Sequence, residues 1–207
     1  MTTHTSQKTE ENRARGSAAI IVLVCLGLLF INLVIFLQMH DFGMVHVEEK
    51  EATLVLGDGI TRNNLKKVIA EATNLDGYCQ PVAFFSCMLV MELVGPGPGP
   101  RHMVNLFFHI ISTLLLFWFF YKSTDTLWPG AMVAALFAAH PINVAPVTWL
   151  AHHESGLSLV LLTTGLVLYV YYARSRSRRG SFVLNGSITL LFLLAMLISE
   201  ERRVGKE

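Results

Sequence analysis

Residues 18–37, AAIIVLVCLGLLFINLVIFL, are apolar apart from Asn32. A helix needs roughly 20 such residues to cross the hydrocarbon core of a bilayer. Lipid offers backbone N–H and C=O groups no hydrogen bonds, so a run of this kind has to be helical. It is longer than a signal-peptide core, which is about 7–15 residues, and no small-residue cleavage site follows it. The expectation is a retained first span over 17–38, an uncleaved signal anchor. Residues 1–16 are polar and mixed in charge, and read as a disordered cytoplasmic tail.

Further apolar runs follow at 103–120, 127–139, 156–173 and 181–199. Only 15% of the 207 residues are charged, against roughly 25% in soluble domains. That deficit is concentrated in the runs, so lipid is the solvent. The expected fold is all-α: a polytopic transmembrane helical bundle, with amphipathic interfacial helices in the first outer loop. The third run ends at His140-Pro141, and INVAPVTWLA after it reads as a proline-interrupted return toward lipid. Residues 39–101 form the outer loop, and 102–200 hold the remaining four spans. Within the loop, 61–72 reads as a short helix with Thr61 as N-cap and Leu65, Val68 and Ile69 on one face. Residues 81–94 are apolar but too short to span, and suit an interfacial helix carrying Phe84, Phe85, Met88 and Leu89. GPGPGP at 95–100 punctuates the chain before the second span.

Lys and Arg in short loops favour the cytoplasm. RSRSRRG at 174–180 therefore marks the inside, which puts 38–101 and 141–155 outside. The tail ERRVGKE at 201–207 carries Arg202, Arg203 and Lys206 on the expected outer side. Either the fifth helix stops short of a full crossing or this tail is truncated or foreign; the second reading is preferred. A net charge of +1 gives no field for nucleic acid. The three cysteines, Cys25, Cys79 and Cys87, make no disulfide framework, and neither a phosphate loop nor a dinucleotide fingerprint is present.

Three stretches, in order, carry a resemblance. RHMVNLFFH at 101–109 matches G-x-H-x-x-N-L-x-x-H. ALFAAHPINVAPVTWLA at 135–151 matches A-L-F-A-x-H-P-x-x-V-x-x-V-x-W. LLAMLISEE at 193–201 falls where L-L-x-K-E is frequent. The chain resembles the membrane half of GT-C glycosyltransferases, in the group fused to tetratricopeptide repeats and related to protein O-mannosyltransferases. His140-Pro141 with Trp149 is the most specific part. The resemblance implies sugar transfer, with mannose one candidate, from a polyprenyl-phosphate donor to a protein or glycan acceptor on the non-cytoplasmic face. It implies a multi-pass protein of a bacterial inner membrane or the endoplasmic reticulum, with membrane lipid, donor and acceptor as its partners. The chain departs from the pattern at His40, beside Asp41, where relatives often hold a second acid. It departs again at Ala145, often an acid, and at His153-Glu154-Ser155, often R-K-D. A non-catalytic scaffold or degenerate relative is the competing reading.

The candidate catalytic residue is Asp41, at the outer end of the first span. A sugar acceptor hydroxyl is a poor nucleophile, and a carboxylate base would activate it. The alternative is a polar end-stop where water begins. Candidate donor-binding residues are Arg101, His140, His153, Asn105 and His109. Arg101 either attracts a lipid phosphate or snorkels at a helix end. His140 either orients the phosphate or ends a helix before proline. Asn105 and His109, four apart on one helix face, either line the donor site or bond a neighbouring helix. Trp149 either stacks on a sugar or anchors at the interface. The cluster His140, His152, His153 and Glu154 fits no zinc spacing, so no metal ligand set is named. No cofactor is expected, and a divalent metal is left open.

Overall fold

The computed structural model describes residues 2–41, 66, 86, 89–90, 92–95, 97–149, 153–175 and 178–198. Among these there is no strand, and the protein is an all-α membrane helical bundle. The elements are α1 (Thr2–Phe36) with a 3-10 turn (Leu37–Asp41), α2 (Pro98–Thr124) and α3 (Leu127–Ala139). A 3-10 turn (Pro141–Asn143) leads into α4 (Val144–Thr148), followed by α5 (His153–Arg174) and α6 (Arg178–Ile198). Of the interfacial helices expected at 61–72 and 81–94, residues 66, 86, 89–90 and 92–94 are described, all of them helical, and the others fall outside the described residues, as do His152 and the tail at 201–207. α1 continues back to Thr2, through the stretch that composition reads as a tail; its Glu, Gln, Lys and Arg are good helix formers.

Among the described residues, three helices are long and apolar enough to cross a bilayer: Gly16–Asp41, Pro98–Thr124 and Glu154–Arg174. α3 and the Pro141–Thr148 segment make a bent pair, with a 51° change of direction. The bend has a local cause. Pro141 drives His140 out of helical geometry, to φ −71° and ψ 129°. The freed end of α3 is then capped from beyond the break, where Asn143 Nδ2 donates to the Phe137 carbonyl at 2.6 Å. The apolar part of α6, Phe182–Met196, is shorter than the three long spans.

α2 is the centre of the bundle, with α1, α3 and α5 packed on it and α6 lying mainly against α5. Leu28, Phe117 and Ala134 form one buried cluster of α1, α2 and α3. Phe36, Met39, Leu106 and Val147 form another nearer the Asp41 end. α3 presents Gly130, Ala134 and Ala138 to its neighbours, one residue per turn, all buried. In lipid such small residues allow the close approach from which packing energy comes. Its opposite face, Trp128, Met132 and Leu136, is exposed and suits lipid. α6 docks through Ser158 Oγ, which donates to the Ala195 carbonyl at 3.0 Å.

The end away from Asp41 is closed by a two-bond ion pair. Arg174 donates from both terminal nitrogens to the Asp125 carboxylate, at 3.1 and 2.8 Å. Asp125 itself takes a left-handed conformation, φ 53°, that ends α2. Lys122 lies over the Trp118 ring at 4.9 Å, and Trp118 Nε1 donates to the Tyr171 hydroxyl at 3.2 Å. The Arg174 bonds hold the Asp125 carboxyl below its ordinary range. A depressed carboxylate stabilises the fold above its unfolded-state titration and loses that contribution as pH falls through the folded one. The group is exposed, so solvent screens the pair. Acidification through the Asp125 titration should lower the melting temperature only slightly, and Asp125→Asn should remove that part of the pH dependence. An unchanged pH profile in the variant would show that the pair contributes nothing to stability.

Candidate functional site

The end of α1, the start of α2, the end of α3, α4 and the start of α5 meet at one rim of the bundle. Their chain directions require this. α1 and α3 run toward the rim, whereas α2 and α5 run away from it and pair at the far end through Asp125 and Arg174.

Asp41 closes the 3-10 turn after α1, and its side chain is 89% exposed. His40 Nδ1 lies 3.3 Å from its Oδ1. The turn rests on the first turn of α2, where Pro98 takes a first-turn position that needs no amide donor. The fit at Gly99 is tight: a Cβ there would sit 2.9 Å from the His40 carbonyl oxygen, a backbone atom that cannot swing away. Gly99→Ala should therefore push the Asp41 turn off α2, at a cost of about 1–3 kcal/mol. Melting of the purified variant checks this, with Gly97→Ala as control, because a Cβ at Gly97 meets nothing closer than 3.6 Å. Equal stability of the two variants would contradict the packing described.

Arg101 and His102 are buried at the head of α2. Asn105, also buried, donates from Nδ2 to the Trp149 carbonyl at 3.1 Å. This bond pins the end of α4 onto α2 and gives Asn105 an architectural task. His109 lies deeper, its ring 5.2 Å from both Phe36 and Phe137, so it sits between α1 and α3 below the rim surface. His140 is exposed, and its Nδ1 accepts from the Ile142 amide at 3.1 Å. That bond fixes the tautomer of the neutral ring and leaves Nε2 as the donor. Trp149 is exposed, as an interfacial or stacking ring requires. His153 opens α5 at the same end.

The structure thus places Asp41, Arg101, His140 and His153 at one rim, and sets Asn105 and His109 into the helix packing below it. Two rim residues were not singled out from sequence. His102 shares a face of α2 with Asn105 and His109, three and seven positions on, and the helical period alone could have flagged it. Asn143 carried no signal beyond its place after Pro141. Among the described residues, no three His, Cys, Asp or Glu side chains gather as a metal set.

Over 185 residues, the chain is 27% identical to Protein O-mannosyl-transferase Tmtc1 of Drosophila melanogaster. The match covers 83% of this chain and 20% of Tmtc1, so the chain spans about a fifth of its relative's length. A match of that extent takes in every rim position from Asp41 to His153. No family model and no solved structure matches the chain.

Chemically, the rim pairs an exposed carboxylate with imidazoles and a guanidinium at the edge of an apolar bundle. Such a set suits an anionic lipid headgroup beside a nucleophile that must lose a proton.

Proposed function

We propose that this chain is the membrane part of a GT-C type glycosyltransferase. It transfers a hexose, mannose on the analogy of Tmtc1, from a polyprenyl-phosphate donor to a protein or glycan acceptor on the non-cytoplasmic face. The observation that carries this reading is the match to Tmtc1, which runs through the whole rim. Asp41 is the base for the acceptor hydroxyl. Arg101, His140 and His153 are assigned to the donor phosphate, with His140 Nε2 presented as a donor by its Nδ1 bond to Ile142. The reaction is an inverting displacement: the acceptor oxygen attacks the anomeric carbon, its proton passes to Asp41, and polyprenyl phosphate leaves. The prenyl chain lies in the bilayer against the exposed apolar faces.

A second reading, a non-catalytic scaffold, is favoured by Ala145. It is exposed on α4 at the rim, at a place where the family resemblance leads one to expect an acid.

A photoactivatable polyprenyl-phosphate sugar, applied to the intact protein in membranes, tests the site. Attachment should map to the rim peptides around 37–41, 97–105 and 140–149. Attachment only near 122–126 or 171–175 would put the donor at the wrong end and refute the proposal.

A further inference from the structure

The first three helices enclose polar atoms that the reaction does not use. Among the described residues, Asn32 Oδ1, His109 Nε2 and Ser112 Oγ are buried with no hydrogen-bond partner. Asn32 and Ser112 are 0% exposed and His109 is 3% exposed. Leaving such groups bare in an apolar interior costs about 1–3 kcal/mol each, so a native bundle rarely tolerates three together.

The helix register brings them to one level. α1 and α2 run antiparallel, with Phe36 on His109 and Leu28 clustered with Phe117. Asn32 lies one turn from both Phe36 and Leu28, so it falls opposite Ser112 and Thr113, which lie between His109 and Phe117. The other polar atoms at this level are satisfied locally. Asn32 Nδ2 donates to the Leu28 carbonyl and Thr113 Oγ1 to the His109 carbonyl, both at 2.8 Å. The His109 ring also hydrogen-bonds the backbone of Ala138, in the last turn of α3, where carbonyls lack helical partners. With that nitrogen donating, Nε2 of the neutral ring is an acceptor. From α3 the facing residues are Ala134 and Ala138, both 0% exposed and too small to fill much space.

We propose that Asn32, His109 and Ser112 bind a structural water molecule at the junction of α1, α2 and α3. The inventory fits one water. It donates one hydrogen to Asn32 Oδ1 and the other to His109 Nε2, and it accepts from the Ser112 hydroxyl. Three bonds is the usual complement of a buried water. A charged ligand is unsuited, because residues 17–37, 102–121 and 127–139 contain no Asp, Glu, Lys or Arg to balance it. The water fastens α1, which leads into the turn that ends at Asp41, to the helix that carries Arg101.

Two measurements on the intact protein in lipid nanodiscs test this. The first is thermal melting of Asn32→Leu, Ser112→Ala and the double variant. A shared water predicts that each single variant melts lower and that the double loses less than the sum. Removing polar atoms that are merely bare should instead raise the melting temperature, with additive effects, and that result overturns the proposal. Ser112→Ala removes one atom and keeps the test readable if Asn32→Leu does not fold. The second is a wild-type density map fine enough to show solvent. A peak within bonding distance of all three atoms is the expected result; Asn32 bonded directly to Ser112, with no solvent between, overturns the proposal.

Discussion

Asp41→Asn in the intact protein should lower sugar transfer by about 10²–10⁴-fold, the usual contribution of a positioned base. The amide keeps the shape of the carboxylate and removes its basicity. Because the side chain is 89% exposed and touches only His40 among the described bonds, the variant should fold and insert as wild type does. Loss of kcat with little change in KM for the donor would assign Asp41 to proton removal. Unchanged turnover would reduce it to the polar end of the first span and favour the scaffold reading.

Ala134→Phe should have the largest structural effect. Ala134 is fully buried where α3 meets Leu28 of α1 and Phe117 of α2. A phenyl ring there cannot be absorbed by rotamer changes alone, since Gly130 one turn earlier already brings α3 within 3.1–3.3 Å of α2 backbone atoms, measured from a built Cβ. Overpacking of this kind typically costs 1–3 kcal/mol, here about 3 or more because two helices must move. Met132→Phe is the control, on the same helix but facing outward at 64% exposure. Melting in detergent should separate the two clearly. Equal melting temperatures would mean that the Gly130, Ala134 and Ala138 face is not the packed one.

The fold was legible where chemistry leaves no choice. A 20-residue apolar run must be helical in lipid, and Pro141 must break the third run just after His140; both appear in the structure. Pairings between distant residues were not legible. Asn105 meets Trp149 across 44 positions, and Asp125 meets Arg174 across 49. Neither pair has a periodic signature, because each depends on how far one helix is rotated against another. The same limit applied to the candidate site. The rim location of Asp41, Arg101, His140 and His153 follows from counting spans. Rotation about the helix axis, which periodicity does not fix without a known neighbour, turns Asn105 toward Trp149 and His109 between two aromatic rings. His102 lay inside the matched pattern RHMVNLFFH and on the same helical face, a signal the sequence did carry, and the structure adds that it is buried.

The central claim is tested most directly by a transfer assay. The purified intact protein, reconstituted in lipid, is incubated with labelled polyprenyl-phosphate mannose and a hydroxyl-bearing acceptor peptide. The account predicts label on the acceptor, release of polyprenyl phosphate in equal amount, and loss of both with Asp41→Asn. A folded, membrane-inserted protein that moves no sugar from this donor or from other polyprenyl-phosphate hexoses would contradict it.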